Sequence, residues 1–134
     1  MSNVHLIGWA GTAVAFLILD AVWLGFVAKK FYAEQLGNLM AKPVRVEFAA
    51  LFYVIYVTGL WLMAGFPTLD APNLSATFFA GAALGFIAYA TYDLSNLAAT
   101  RGWPVAMAAV DIAWGTFASG CAALAGRYAV TVFA

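Results

Sequence analysis

The stretch from residue 75 to residue 99 reads SATFFAGAALGFIAYATYDLSNLAA, with no basic side chain and one carboxylate, Asp93. A transmembrane helix needs about 20 predominantly apolar residues, so this stretch is long enough to cross a hydrocarbon core. The whole chain has the same character, since 66% of its residues are hydrophobic and 9% are charged. A soluble domain has roughly 25% charged residues. The composition therefore predicts an integral membrane protein.

Three further apolar stretches have a similar length, and with the first they predict an all-α fold. We predict a four-helix transmembrane bundle, one domain over residues 1–134, with helices at about 4–28, 46–66, 75–99 and 104–126. The first stretch does not resemble a cleaved secretory signal, because no Lys or Arg precedes it and Lys29 and Lys30 follow it. The protein is thus expected to be multi-pass, with the lipid bilayer as its first partner.

Basic residues predict the orientation of the bundle. Lys29, Lys30, Lys42, Arg45 and Arg101 fall in the two connections on one side, whereas Arg127 alone falls on the other. By the positive-inside rule, both termini are expected to be non-cytoplasmic. The zero net charge of the chain gives no reason to expect a nucleic-acid partner.

The connection at residues 29–45 is long enough to hold structure of its own. Phe31, Tyr32, Leu36, Leu39 and Met40 recur at helical spacing, which predicts a short amphipathic helix on the membrane surface. Two interpretations remain open for it: an interfacial connector, or a lid over a polar site.

Asp20, Asp93 and Asp111 each interrupt an apolar span. A carboxylate at the centre of a transmembrane helix costs about 2.5 to 3.5 kcal/mol by insertion scales, so such residues usually face a polar site in the interior. Each aspartate lies seven to nine residues from the basic side of its span, roughly 10 to 14 Å deep at 1.5 Å per residue. The three carboxylates are therefore expected to share one layer.

Other polar and aromatic residues fall at or near the same depth. The motif DxxW occurs twice, at Asp20 and at Asp111, and a stripe at helical spacing joins Gly81, Gly85 and Asp93 on one helix face. The candidate substrate or cation site consists of Asp20, Trp23, Tyr53, Tyr56, Tyr89, Tyr92, Asp93, Asn96, Asp111 and Trp114. The candidate metal ligands among them are Asp20, Asp93, Asn96 and Asp111.

Three motifs carry a resemblance to a known family. The stretch YATYDLSNLA at 89–98, together with DIAWG at 111–115 and DAVWL at 20–24, resembles a family of small bacterial integral membrane proteins that is defined as a domain of unknown function. The resemblance covers nearly the whole chain. It implies a four-helix bundle in a bacterial inner membrane and no particular activity.

Missing residues limit the chemistry that one chain can perform. His5 is the only histidine, so a histidine-rich di-iron site or a bis-histidine haem site cannot be built within a single chain. The sequence contains no HExxH, phosphate-binding loop or GxGxxG motif. The identity of any cofactor stays open, and so does the question of whether the protein is an enzyme.

Three interpretations of the polar layer remain. The aspartates could be structural, hydrogen-bonded to Tyr, Asn and Trp donors or paired with Arg101 and Arg45. They could serve the transport or conduction of protons or cations. They could also form an enzyme site for a lipid or prenyl-type substrate. The GxxxG spacing of Gly81 and Gly85 favours helix association, which would suit a homo-oligomer or an accessory subunit of a membrane complex.

Overall fold

A computed structural model describes residues 2–40 and 45–134, which are helical almost throughout. The helices are α1 (Ser2–Val22), α2 (Lys29–Leu36), α3 (Val46–Leu60), α4 (Leu74–Ala99) and α5 (Val105–Phe133). Four segments are long and apolar enough to cross a membrane: Asn3–Val27, Val46–Thr68, Leu74–Ala99 and Val105–Phe133. The predicted four-helix transmembrane bundle is confirmed.

The main difference from the predicted boundaries is at the last helix. The sequence predicts an end near residue 126, because the basic Arg127 follows an apolar run. The helix instead continues to Phe133, and Arg127 is a buried residue within it. A charged side chain does not end a helix when its hydrogen-bonding groups find acceptors inside the protein.

The contact between α4 and α5 depends on small residues. A Cβ atom added to Gly81 would lie 2.7 Å from the Ser119 carbonyl oxygen. One added to Gly85 would lie 2.6 Å from the Gly115 carbonyl oxygen. No side chain fits at such distances, so the two backbones pack directly against each other. This is the close approach that GxxxG spacing permits in membranes.

Helix α3 packs against the bundle along only part of its length. Its buried residues are Tyr56, Val57 and Leu60, and Trp61 and Ala64 follow in the continuation of the helix. By contrast, every residue from 45 to 52 is exposed. The Arg45 half of α3 therefore stands apart from the bundle, and this separation opens the space described in the next subsection.

The end of α1 and the short helix α2 cover one end of the bundle. A π-helical turn at Trp23–Val27 ends α1, where the Ala28 N–H donates to the Trp23 carbonyl at 2.7 Å. The chain then turns into α2, which agrees with the predicted surface helix. Residues 37–39 form a 3-10 turn, and Lys42 lies outside the described residues.

Arg127 stabilises the end of the bundle opposite to α2. Its guanidinium group donates to the Ala71 carbonyl at 2.6 Å, to the Asn73 carbonyl at 3.1 Å and to the Thr77 hydroxyl at 2.9 Å. These bonds join α5 to the connection between α3 and α4. The Arg127 side chain thus holds the connection between α3 and α4 against α5.

We expect the connection that contains Asp70 to face outward and Arg101 to be cytoplasmic. Both residues are exposed, so each can be replaced by cysteine in a background in which Cys121 is serine. In intact cells, a membrane-impermeant maleimide should label the variant at position 70 and spare the variant at position 101 until the cells are permeabilised. The opposite pattern would reverse the orientation.

Candidate functional site

A cavity of about 740 Å³ lies at the level of the aspartates. Its walls come from all four spanning segments and from α2: Asp20, Trp23, Leu24, Tyr32, Phe48, Ala49, Phe52, Ala88, Tyr89, Tyr92, Asp111 and Trp114. Binding sites for small organic molecules typically measure roughly 300 to 1,000 Å³ and combine apolar walls with a few polar groups. This cavity has that size and that composition.

The two DxxW motifs meet in the wall of the cavity. The Trp23 and Trp114 rings stack with their centroids 4.4 Å apart and an interplanar angle of 4°. The rings come from opposite ends of the chain, one from the π-helical end of α1 and the other from α5. A motif repetition that looks incidental in the sequence thus becomes a single aromatic surface.

Each motif is also linked to the aspartate of the other, in one case directly and in the other through Tyr32. The Trp114 indole N–H donates directly to Asp20 Oδ1 at 3.3 Å. The Trp23 indole N–H donates to the Tyr32 hydroxyl at 3.1 Å, and that hydroxyl donates to Asp111 Oδ1 at 3.0 Å. The two carboxylates and the two indoles are therefore held by a reciprocal arrangement.

Both carboxylates keep one oxygen available. Within residues 2–40 and 45–134, the Oδ2 atoms of Asp20 and Asp111 accept no hydrogen bond, and neither is a buried atom. A ligand in the cavity can therefore reach one oxygen of each carboxylate that accepts no N–H or O–H bond, apart from the contact of Asp111 with Asp93 described below.

Tyr32 is a member of the site that sequence reasoning missed. Its helical spacing with other apolar residues predicts its place on α2, but nothing local indicates which spanning helix the phenol reaches. Burial raises the pKa of Tyr32 above its ordinary value, and the negative charge of Asp111 adds to that effect. The phenol stays protonated near neutral pH, so it can donate to the Asp111 carboxylate.

Asp93 lies behind the cavity wall and not in it. The residue is fully buried, and its Oδ1 atom accepts a hydrogen bond from the Trp103 indole at 3.4 Å. Its Oδ2 atom has no partner in the parts of the chain that the structure describes. The side chain is within hydrogen-bond reach of Asp111. A proton shared by the two carboxyl groups would give the buried oxygen a partner.

Six of the ten candidate residues line the cavity: Asp20, Trp23, Tyr89, Tyr92, Asp111 and Trp114. Three others are occupied elsewhere. Tyr53 donates to the Ala13 carbonyl, Tyr56 shares a hydrogen bond of 2.6 Å with Ser119, and Asn96 bonds to the Tyr92 carbonyl and to Thr100 in its own helix. The tenth candidate is Asp93 in its position behind the wall.

Five apolar wall residues were missed by sequence reasoning, since none carries a polar atom that would mark it: Leu24, Phe48, Ala49, Phe52 and Ala88. Trp103, the donor to Asp93, lies in the short connection after the third span. Like Tyr32, it was missed because nothing in the local sequence indicates its partner. Its partner lies ten residues earlier in the chain, a separation that no helical periodicity predicts.

Within residues 2–40 and 45–134, no basic side chain forms a salt bridge with an aspartate of the site. Across the described ranges, the salt bridge found joins Lys30 and Glu34 on α2, at 3.8 Å between Nζ and Oε1. Neither Arg45 nor Arg101 pairs with a site aspartate there. The same ranges contain no group of three or more His, Cys, Asp or Glu side chains arranged to hold a metal ion.

Comparisons with known proteins bear on the family of this chain. Neither a curated protein nor a solved structure matches it. A family profile described as "Predicted membrane protein (DUF2177)" matches residues 5–128, which include most of α1 and α5, the whole of the other three helices and both DxxW motifs. The chain belongs to this family of predicted membrane proteins of unknown function.

Proposed function

We propose that the cavity binds an organic cation and that the protein moves this cation across the membrane in exchange for protons. The observation that carries the proposal is the pair of available carboxylate oxygens, on Asp20 and Asp111, in the wall of a large aromatic cavity. A cation there gains charge attraction from the carboxylates and cation-π contact from the Trp23 and Trp114 rings.

The chemistry of the walls favours an organic cation over a bare metal ion. A Ca²⁺ or Mg²⁺ ion requires about six or more oxygen ligands at roughly 2.0 to 2.6 Å. Each cavity aspartate already accepts a hydrogen bond from a phenol or an indole, and most of the remaining wall is aromatic or aliphatic. Such walls suit an ammonium group with hydrocarbon substituents.

The pair of Asp93 and Asp111 supplies a place for the exchanged proton. Asp93 is fully buried beside Asp111, and burial of a second negative charge there is costly, so Asp93 is the side chain proposed to hold the exchanged proton. A cation that binds beside Asp111 adds positive charge near Asp93 and favours release of that proton. Asp20, Tyr32, Tyr89 and Tyr92 are the other titratable groups around the pair.

The test is binding of radiolabelled tetraethylammonium to purified protein. We expect saturable binding, and replacement of Asp20 and Asp111 together by Asn should weaken it by roughly 10- to 100-fold, because the attraction between a quaternary ammonium and a carboxylate, about 4 kcal/mol at 4 Å and an effective dielectric of 20, is partly offset by desolvation. Asp70→Asn, at an exposed position in a connection, serves as the matched control and should bind like wild type.

Thermal melts of the double variant and of Asp70→Asn in the same detergent show whether a loss of binding reflects unfolding alone. The single Asp20→Asn variant removes one of the two carboxylates and should weaken binding less. Equal affinity in the double variant and in wild type would reject the cation site. Saturable binding without counterflow in proteoliposomes would reject transport, and it would favour the alternatives of an enzyme or an accessory subunit.

A further inference from the structure

We infer that the cation is an amphiphile with one long hydrocarbon tail and that it enters the cavity sideways from the bilayer, along the Arg45 half of α3. This inference rests on the proposed cation site and specifies its substrate class. It begins from the position of α3, whose residues 45–52 do not pack on the bundle.

Two cavity-lining phenylalanines mark the opening. Phe48 and Phe52 line the cavity, yet they are 62% and 51% exposed. Leu24 and Tyr92, from α1 and α4, also line the cavity and are 46% and 53% exposed. Residues that contact the cavity and the surroundings at the same time form the rim of an opening.

The opening lies at the depth of lipid. Helix α3 belongs to the span Val46–Thr68, and Phe48 and Phe52 come three and seven residues after Arg45. At 1.5 Å per residue, the phenylalanines lie roughly 4 to 10 Å inside the end of the span. A molecule that passes between them therefore comes from the acyl-chain layer near the headgroups.

The distribution of polarity orients the molecule. The carboxylates of Asp20 and Asp111 are in the cavity wall, and the rim is aromatic and aliphatic. A quaternary ammonium or amine head suits the carboxylates, and a hydrocarbon tail suits the rim and the lipid beyond it. A second copy of this chain would place apolar helix side chains against two carboxylates without neutralising them, which is unfavourable in low dielectric. Charge complementarity thus favours the cationic amphiphile.

The probe is dodecyltrimethylammonium with a photoreactive diazirine near the end of its tail, added to wild-type protein in phosphatidylcholine nanodiscs. We expect cross-links on α3 around Phe48 and Phe52, and an excess of unlabelled dodecyltrimethylammonium should suppress them. Ala49→Trp, which fills the rim, should reduce this labelling at least tenfold. Ala83→Trp adds the same bulk at an exposed position on α4 away from the cavity and should not reduce it.

Tetraethylammonium separates this inference from the proposal on which it rests. Displacement of tetraethylammonium from wild type by dodecyltrimethylammonium, together with competed labelling on α3, supports entry from the bilayer. Tetraethylammonium binding in wild type without competed labelling on α3 overturns the inference and leaves the cation site in place. Absence of binding by either probe overturns both. If position 48 cross-links two copies of the chain, and Ala49→Trp disrupts that cross-link, the opening is occupied by a second copy. That result would overturn the inference.

Discussion

Asp93→Asn is expected to abolish proton-driven movement of an organic cation and to leave cation binding intact. Asp93 lies behind the cavity wall, so its replacement removes no group that contacts the ligand. The asparagine has a similar shape and can still accept the bond from Trp103, but it cannot hold the exchanged proton with Asp111. The link between proton and cation is lost, because only the ionisable group of the pair has been removed.

The measurement compares uptake of radiolabelled tetraethylammonium into proteoliposomes with and without a pH gradient. Wild type should respond to the gradient, whereas Asp93→Asn should show exchange at equal pH and no added uptake with the gradient. The melting temperature should be retained, since the amide offers a donor to the neighbouring Asp111. A lowered melting temperature with unchanged gradient-driven uptake would make Asp93 a structural residue and reject its role with protons.

Arg127→Met is expected to have the largest effect on stability. The variant leaves the Ala71 and Asn73 carbonyls and the Thr77 hydroxyl without their donor. Hydrogen bonds to a charged group contribute about 1.5 to 3 kcal/mol each, so the free energy of unfolding should fall by roughly 3 kcal/mol or more. The methionine fills similar space, which limits the cavity contribution to the loss.

Thermal melts in one detergent check this expectation, with Arg101→Met as the control because Arg101 is exposed. Arg127→Lys should fall between wild type and Arg127→Met, since an ammonium keeps the charge but not the planar fork that reaches three acceptors. A melting temperature for Arg127→Met equal to that of the control would show that the three bonds contribute nothing net to stability.

The depth of the aspartates could be predicted from sequence, whereas their partners could not. Helical rise is nearly constant, so residue counts from a loop give depth. Residue counts do not give the rotation of α3 about its own axis, because apolar residues occur on every side of this helix. Tyr53 and Tyr56 consequently have the expected depth and face the packed side of α3, where they bond to Ala13 and Ser119.

The stripe on α4 shows the same limit in a different way. Gly81, Gly85 and Asp93 share a face, as the i+4 spacing predicts. At the two glycines that face packs directly against α5, and Asp93 is buried, whereas Tyr89 on the same face lines the cavity. Tyr32 could not be predicted because its partner lies 79 residues away, and local patterns contain no information at that separation.

The reciprocal contacts of the two DxxW motifs fix the register between α1 and α5. Because the Trp114 indole serves Asp20, and the Trp23 indole serves Asp111 through Tyr32, sliding of one helix past the other by a turn of about 5.4 Å would break both links and the ring stack together. These two helices therefore behave as one rigid unit. Helix α4 joins this unit through its direct backbone contact with α5, so α3, whose Arg45 half stands apart from the bundle, is the spanning helix with room to move.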